Sequence, residues 1–285
     1  MNDVSIIIVN YKVAELVEQC IASVYEHTKG VKFEIYLVDN ASGDDVISRI
    51  STKFPEVNIV ANNKNLGFAA ACNQGIELSR GDFVLLLNPD TELKDDAISS
   101  VVSKMRTDRE VGVGGVHLVN PDGTHQSSGV RRFPGVLDQL LIMLKVPHLF
   151  GEVGPVKKYL MSDLDPTESQ DVDQVMGAFF CIRRELIQKI GPLDNGFFIW
   201  FEEVDFCKRT VDTGHRVRYY ADIDVVHHRG ASFGQVATIK KQRWIRNSLR
   251  RYIKKHKGWF AWLLFVLLEP VFILLAIVSQ IIKPK

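Results

Sequence analysis

The chain has 285 residues, of which 46% are hydrophobic, and its 35 Lys and Arg residues nearly balance 34 Asp and Glu residues. This length and composition describe a globular protein of one large or two modest domains and exclude a largely disordered chain. No signal peptide precedes the first apolar run, so we expect the N-terminal domain to stay in the cytoplasm. The four cysteines lack C-x-x-C spacing, which argues against a zinc site and for a reducing compartment.

The first ninety residues alternate between strand-like and helix-like segments. Residues 4–9 form a continuous apolar run, and residues 14–25 repeat apolar positions with the helical period. Further strand-like runs follow at 33–38, 57–61 and 82–87, with a helical segment at 68–78. Buried strands that alternate with helices predict an α/β fold with a mostly parallel sheet flanked by helices.

Polar residues follow each of these strands. Ligands of such sheets bind at the carboxyl ends of the strands, where Asn, Asp and Gly can also serve only to make turns. Four successive polar loops favour a binding site over turns alone. These loops contain Asn10-Tyr11, Asp39-Asn40, Asn62-Asn63 with Asn65, and Asn88 with Asp90.

Three groups of side chains could carry chemistry. Asp90 directly follows a buried strand, where a carboxylate can hold Mg²⁺ together with diphosphate oxygens, although it could instead cap the next helix. Glu202, Glu203 and Asp205 lie in an aromatic stretch that would raise a carboxyl pKa toward neutrality, as a general base needs, although acids also favour a helix start. His227 and His228 follow a strand-like segment, so one ring could reach a metal or phosphate while the other points away.

The chain resembles family 2 inverting glycosyltransferases of the GT-A type, in the branch that includes bacterial rhamnosyltransferases for surface polysaccharides. The resemblance runs over about residues 4–255, and its motifs keep their order and spacing along the chain. They are Ser5-Ile6-Ile7-Ile8-Val9-Asn10-Tyr11, Val38-Asp39-Asn40-Ala41-Ser42, Asn65-Leu66-Gly67-Phe68-Ala69 with Asn73, Leu87-Asn88-Pro89-Asp90, Gly177-Ala178, Leu193-Asp194 with Phe197-Phe198, Glu202-Glu203-Val204-Asp205-Phe206-Cys207 with Arg209, His227-x-x-Gly230-x-Ser232, and Arg246-Asn247.

The resemblance implies a nucleotide-diphosphate sugar as donor. Asp39 is then expected to accept a hydrogen bond from the pyrimidine base. Further donor-site residues are expected to be Asn10, Tyr11, Asn40, Asn65, Gly67, Phe68, Asn73, Asn88 and Arg209, and the acceptor side is expected to contain Gly177, Ala178, Trp200 and Glu202.

The resemblance also implies a bound Mg²⁺ or Mn²⁺ ion and a catalytic base. Asn88-Pro89-Asp90 takes the place of the family's D-x-D motif, so Asp90 is the expected metal ligand, with His227 as a further metal or diphosphate contact and His228 as its substitute. Glu203 falls where the family usually has an Asp base, and Asn88 where an acid is commoner. Glu203 would take a proton from the acceptor hydroxyl, with inversion at the anomeric carbon.

The C-terminal part is basic and then apolar. From Val225 onward Glu269 is the only acid, and basic residues are concentrated between 240 and 257. Residues 259–282 are long enough to span a bilayer, but Glu269-Pro270 interrupts them, so an interfacial hairpin is an alternative to a straight span and a buried core helix is a third. The apolar stretch favours a membrane partner over nucleic acid for the basic segment.

These features predict three parts: a GT-A catalytic domain at 1–232, a basic amphipathic segment at 233–258 and a membrane-associated tail at 259–285. Because basic residues favour the cytoplasmic side, we expect the protein at the cytoplasmic face of the bacterial plasma membrane. Together with this location, the family resemblance implies a polyprenyl-diphosphate-linked saccharide as acceptor, and the resemblance alone favours L-rhamnose from dTDP-rhamnose as the sugar, with a UDP-sugar as the alternative.

Other classes of protein fit the sequence less well. A sugar-phosphate nucleotidyltransferase would need a Gly-rich, basic loop after the first strand, and an oxidoreductase would need G-x-G-x-x-G there. The chain has Val9-Asn10-Tyr11-Lys12 instead. A non-catalytic membrane scaffold that keeps the fold is the other alternative, against which Asp39, Asp90 and Glu203 argue.

Overall fold

The computed structural model describes residues 2–228 and 238–282, so the predicted boundary after residue 232 and the motif residues Gly230 and Ser232 lie outside the described residues. A central β-sheet with helices packed against it forms the body of the molecule. The strands are β1 (Val4–Asn10), β2 (Phe33–Asp39), β3 (Asn58–Ala61), β4 (Phe83–Leu87), β5 (Thr91–Glu92), β6 (Val111–Val119), β7 (Val130–Arg131), β8 (Gln170–Asp171), β9 (Gln174–Val175), β10 (Phe179–Arg183) and β11 (Arg216–His227).

The helices follow the predicted periodicity closely in the first part of the chain, where α3 has the predicted bounds. They are α1 (Ala14–His27), α2 (Val46–Lys53), α3 (Phe68–Leu78), α4 (Ala97–Thr107), α5 (Val136–Met143), α6 (Val146–Phe150), α7 (Gly154–Leu160), α8 (Arg184–Ile190), α9 (Glu202–Asp212), α10 (Thr238–His256), α11 (Trp259–Leu267) and α12 (Glu269–Ile282).

The sheet is mixed rather than mostly parallel, which corrects the prediction. Its order is β3-β2-β1-β4-β10-β6-β11-β5, with β8 beside β11. The first four strands are parallel, as predicted, but β10 runs antiparallel to both β4 and β6. A buried apolar run satisfies its hydrogen bonds in either direction, so the sequence pattern does not encode this reversal. Because of it, the residues before β10 lie next to the carboxyl end of β4.

Both faces of the sheet are buried, which explains the continuous apolar strands. Along β1, Ile6 and Ile8 pack into the core on one face, and Ile7 and Val9 pack into the core on the other. On the second face, α3 lies so close to β1 that a Cβ atom at Gly75 would come within 2.6 Å of Ile7 Cγ2. This close packing fixes α3, and the loop that precedes it, against the sheet.

The basic helix α10 packs against the α/β body. Its Arg251 forms an ion pair of 2.7 Å with Asp194, and its His256 lies 2.7 Å from Asp205 on α9. No single helix in the described part of the chain is long and apolar enough to cross a membrane. By length and composition, α11 and residues 269–278 of α12 reach that threshold only as a pair bent by 47°.

Candidate active site

A cavity of about 460 Å³ lies at the carboxyl ends of β1, β2 and β4. The antiparallel entry of β10 adds the segment before that strand to its wall, and the start of α9 adds a pair of glutamates. The predicted site residues that line the cavity are Tyr11, Asn40, Asn65, Gly67, Phe68, Asn88, Asp90, Gly177, Ala178, Trp200, Glu202, Glu203 and His227.

Asn10 and Asp39 lie behind this wall rather than on it. The fully buried Asn10 donates from Nδ2 to Asp39 Oδ1 at 3.0 Å and to Ser42 Oγ at 2.8 Å. Their neighbour Asn40 reaches forward instead and donates from Nδ2 to Asn65 Oδ1 at 3.1 Å. Asn10 therefore holds the ends of β1 and β2 together, and the expected contact of Asp39 with a base stays a prediction.

The loop before α3 is joined to the loop before α9 by a close backbone contact. The Phe68 amide donates to the Phe198 carbonyl at 2.7 Å. Gly67 has a φ of +87°, and a Cβ there would lie 2.5 Å from the same Phe198 oxygen. Only glycine meets both demands, for a left-handed backbone and for close approach. The contact makes Phe198 part of the same cavity wall.

Asp90 and His227 face each other across the cavity floor. His227 Nε2 lies 3.3 Å from Asp90 Oδ1, and both side chains are buried. Pairing of β5 with β11, in which His227 is opposite Thr91, brings these residues together although they are far apart in sequence. A carboxylate oxygen and an imidazole nitrogen at this separation could bind one cation between them.

The donor set fits a divalent ion that is completed by its substrate. Within residues 2–228 and 238–282, no group of three His, Cys, Asp or Glu side chains is placed to hold an ion. Asp90 and His227 alone would leave most coordination positions to water and to diphosphate oxygens, which is how Mg²⁺ is commonly held in phosphate-transfer sites.

Glu202, which is buried, and Glu203, which is half-buried, form a carboxylate pair at the first turn of α9. Burial raises the pKa of Glu203 to about 7, and burial together with the neighbouring Glu203 raises the pKa of Glu202 well above its usual range. Among the described residues, neither Oε2 atom of this pair has a hydrogen-bond partner. Burial and the neighbouring carboxylate therefore favour the protonated form of Glu202, while the pKa of Glu203 suits it to accept a proton.

The backbone just before this pair is in an unfavourable conformation. Trp200 and Phe201 have φ values of +63° and +71°, in the left-handed region that bulky residues rarely adopt. Ser248 on α10 donates to the Ile199 carbonyl at 2.8 Å and helps to hold this turn. The turn directs Trp200, Glu202 and Glu203 to the cavity.

Besides Asn10 and Asp39, three more predicted site residues do not line the cavity. Arg209 lies one turn from Asp205 on α9 and binds it at 2.9 Å, while its other nitrogens donate to loop carbonyls such as that of Pro192. Asn73 donates to the Leu193 carbonyl at 2.8 Å and so fastens α3 to the same loop. His228 lies 3.4 Å from Glu92 and is not a substitute for His227. These side chains have structural partners because their positions on α9, α3 and the end of β11 direct them away from the cavity.

Other cavity residues were missed by the sequence analysis. Trp244 reaches the cavity from α10, and its ring centroid lies 4.9 Å from that of Phe198. Ser128 and Met176 also line the cavity. Trp244 belongs to the basic segment, and an aromatic residue in such a segment is typical of a membrane-facing surface. Only the packing of α10 reveals that Trp244 lines the cavity.

The fold and this cavity define a GT-A-like protein. Two solved structures share the fold with a TM-score of 0.60 each. One is a mannosyltransferase, PcManGT from Pyrobaculum calidifontis, with GDP-Man and Mn²⁺; it is 16% identical and matches over 100% of this chain and 76% of its own. The other is GalNAc-T7 with UDP, GalNAc and Mn²⁺, which is 17% identical and matches over 89% of this chain and 48% of its own.

The chain belongs to glycosyl transferase family 2, whose family model matches residues 5–191. The match includes Asp39 and Asp90 and ends before Glu203. An N-acetylglucosaminyl-diphospho-decaprenol L-rhamnosyltransferase of Mycobacterium tuberculosis is 24% identical over 273 residues, which cover 91% of this chain and 87% of the relative. Rhamnosyltransferase WbbL of Escherichia coli is 24% identical over 185 residues, which cover 62% of this chain and 63% of the relative. The predicted family and its rhamnosyltransferase-like character are confirmed.

Proposed function

We propose that the protein is an inverting, metal-dependent glycosyltransferase that moves a sugar from a nucleotide-diphosphate donor to a hydroxyl group of a lipid-linked saccharide. One observation carries the proposal: Glu203, whose pKa is raised to about 7, lines the same cavity as the Asp90–His227 pair. The first group suits proton removal from an acceptor, and the second suits a cation that binds the donor diphosphate.

In this mechanism Glu203 accepts the proton of the acceptor hydroxyl as the oxygen attacks the anomeric carbon. Protonated Glu202 beside it keeps a second negative charge away from Glu203, since two adjacent buried carboxylates cannot both ionise easily. Asp90 and His227 would hold the cation, which would neutralise charge that develops on the leaving diphosphate. Attack from the face opposite the leaving group inverts the configuration of the sugar.

For the donor we propose dTDP-rhamnose, with a UDP-sugar as the alternative. Support comes from the rhamnosyltransferases of M. tuberculosis and E. coli among the relatives. Asp39 and Asn40 at the end of β2 and Tyr11 after β1 are the proposed nucleotide contacts, and Asn65, Gly67, Phe68 and Asn88 border the proposed diphosphate and sugar positions.

The proposed acceptor is a saccharide linked to a polyprenyl diphosphate at the cytoplasmic face of the plasma membrane. The name of the M. tuberculosis relative includes a diphospho-decaprenol. Helix α10 presents many basic side chains, and α11 and α12 expose large apolar side chains, among them Phe260 at 83% and Leu274 at 60%. Such a surface suits anionic headgroups and the apolar layer beneath them. Residues 233–258 and 259–285 are accordingly proposed as the membrane-attachment parts, and 1–232 as the catalytic domain.

The proposal is tested by donor hydrolysis and transfer with a panel of dTDP- and UDP-sugars in Mg²⁺ or Mn²⁺. Glu203→Gln and Asp90→Ala are compared with the wild type, and Glu77→Gln, a change of an exposed glutamate on α3, is the matched control. We expect one donor to turn over, both active-site variants to lose activity, and the control to keep it. Lack of turnover with every donor, together with lack of nucleotide binding by calorimetry, would favour a non-catalytic scaffold.

A further inference from the structure

Gln126 is a buried glutamine whose side chain forms two contacts with His227. Its side chain is 1% exposed and does not border the cavity. Gln126 Nε2 donates to the backbone carbonyl of His227 at 2.6 Å, and Gln126 Oε1 lies 3.0 Å from His227 Nδ1. Neither contact touches a donor or acceptor, so the effect of Gln126 on the site must act through His227.

The loop that carries Gln126 is fastened to the end of β6. After β6 the chain turns back at Gly123, which has a φ of +81°. The backbone N–H of Gln126 then donates to the Leu118 carbonyl at 3.0 Å. Strand β6 is the parallel neighbour of β11, which ends in His227. Gln126 is therefore held on a rigid part of the sheet beside the histidine.

The orientation of the Gln126 amide is fixed by its surroundings. Nε2 faces three oxygens, the carbonyls of Val119 and His227 and the Oδ1 atom of Asn120. Carbonyl oxygens only accept hydrogen bonds, so the NH₂ group must be on that side and Oε1 must be directed at the imidazole. A flipped amide would place Oε1 against two carbonyl oxygens.

This orientation selects one tautomer of His227. Because Gln126 Oε1 can only accept, Nδ1 of His227 must carry the proton. In the neutral ring Nε2 then has a lone pair, and it faces Asp90 Oδ1 at 3.3 Å. Two acceptors that face each other at this distance repel, and either a proton on Nε2 or a metal ion between the two atoms removes the repulsion.

We propose that Gln126 is a positioning residue that holds His227 in the Nδ1–H tautomer and so presents Nε2, with Asp90, to a divalent cation. The inference rests on the metal site of the proposed function and extends it to a residue outside the cavity. A second residue that orients a metal-binding histidine commonly changes metal affinity by ~10- to 100-fold when it is removed. A purely structural glutamine would change stability alone.

The test uses Gln126→Met, which keeps the length of the side chain and removes all hydrogen bonds of the side-chain amide. Gln174→Met is the control, because Gln174 is also buried and its side chain donates to the Arg132 carbonyl at 2.7 Å, while Gln174 does not line the cavity. Both changes remove buried hydrogen bonds of a side-chain amide, so both variants are expected to lose Tm.

The first measurement is the tautomer of His227 in the metal-free protein. Long-range ¹⁵N–¹H correlation spectra of histidine-labelled protein report which ring nitrogen carries the proton, and His227→Asn assigns the signal. We expect a proton on Nδ1 in the wild type and in Gln174→Met, and a proton on Nε2 alone, directed at Asp90, in Gln126→Met. A wild-type ring that carries its proton on Nε2 alone would overturn the inference.

The second measurement is the affinity for Mn²⁺ in the presence of UDP or dTDP, from the free Mn²⁺ signal in electron paramagnetic resonance. We expect Kd to rise at least ~10-fold in Gln126→Met and to stay unchanged in Gln174→Met. Equal affinity of Gln126→Met and wild type would refute the positioning role, and absence of Mn²⁺ binding by the wild type would refute the metal site itself. The tautomer needs no donor, so an enzyme that transfers sugar but shows Nε2–H would overturn only the role of Gln126.

Discussion

Replacement of Glu203 by Gln should separate stability from activity in this protein. Burial raises the pKa of Glu203 from its ordinary value of 4.5 to about 7. The folded chain therefore binds more protons than the unfolded chain between these pH values, and its stability must fall as pH rises through this interval. The full effect corresponds to ~3 kcal/mol, and the partial exposure of Glu203 to the cavity makes this an upper bound.

Glutamine has no charge to bury, so the variant should lack this pH-dependent loss. The amide adds a buried NH₂ group beside an unpaired oxygen site, but that cost does not depend on pH. The quantity to measure is thus the difference in unfolding free energy between Glu203→Gln and wild type, obtained by urea denaturation at pH 5, 6, 7 and 8. We expect this difference to shift in favour of the variant by as much as ~2.5 kcal/mol between pH 5 and 8, because part of the full effect is already lost at pH 5.

Exposed Glu77 again provides the control, since Glu77→Gln should show no comparable change with pH. Transfer activity should follow the opposite course: in the wild type it should rise with pH toward a plateau above about 7 as Glu203 loses its proton, and Glu203→Gln should be inactive throughout. A free-energy difference that stays constant from pH 5 to 8 would show that Glu203 is not a buried base with a raised pKa.

Three further predictions concern the C-terminal helices. Trp244→Ala, which removes the contact with Phe198, should raise the acceptor KM roughly tenfold without changing the donor KM in hydrolysis assays; equal changes in both would contradict an acceptor-side role. Glu269→Gln should lower the unfolding free energy by ~3 kcal/mol because it leaves buried Arg246 unpaired, whereas Arg246→Met with Glu269→Leu should restore much of the loss in thermal unfolding. Phe260→Ser should weaken sedimentation with anionic lipid vesicles while donor hydrolysis persists, and unchanged sedimentation would argue against attachment through α11.

The sequence predicted the parallel half of the sheet because each strand there is buried on both faces and follows its neighbour in order. The apolar runs gave β1, β2 and β4 within a residue of their bounds. The rule that ligands bind at strand ends placed Asp90 at the site, and the structure adds His227 and Glu203 to the same cavity. The family resemblance supplied their proposed roles, which the strand pattern alone left open.

The remaining parts of the site depend on contacts that single segments do not encode. Whether β10 runs parallel or antiparallel depends on its neighbours, and Gln126 and Trp244 reach the site only through the pairing of β6 with β11 and the packing of α10. Arg209 is different, because its spacing of four residues from Asp205 suits the ion pair that the two residues form within α9. Its expected role at the donor site stays a prediction.

The packing of α9 connects the proposed base to the C-terminal helices. Glu203 lies in the first turn of α9, and Asp205 in the same turn binds Arg209 on its own helix and His256 on α10. Burial alone would raise the pKa of Asp205, but hydrogen bonds from His256 and Lys255 and the charge of Arg209 outweigh it and lower that pKa.

Helix α10 is therefore an integral part of the active-site wall. The ionised Asp205 binds the C-terminal end of α10 through His256. Asp194, in the loop before α9, binds the same helix through Arg251 and Lys255. Burial alone would raise the pKa of Asp194, but its hydrogen bonds with Arg251, Gly196 and Lys255 outweigh burial and lower that pKa to about 2. Near its other end, α10 places Trp244 in the cavity and Arg246 against Glu269 at the bend between α11 and α12. Because α10 is held near both ends, a displacement of α11 and α12 would reach the wall of the cavity that contains Trp244.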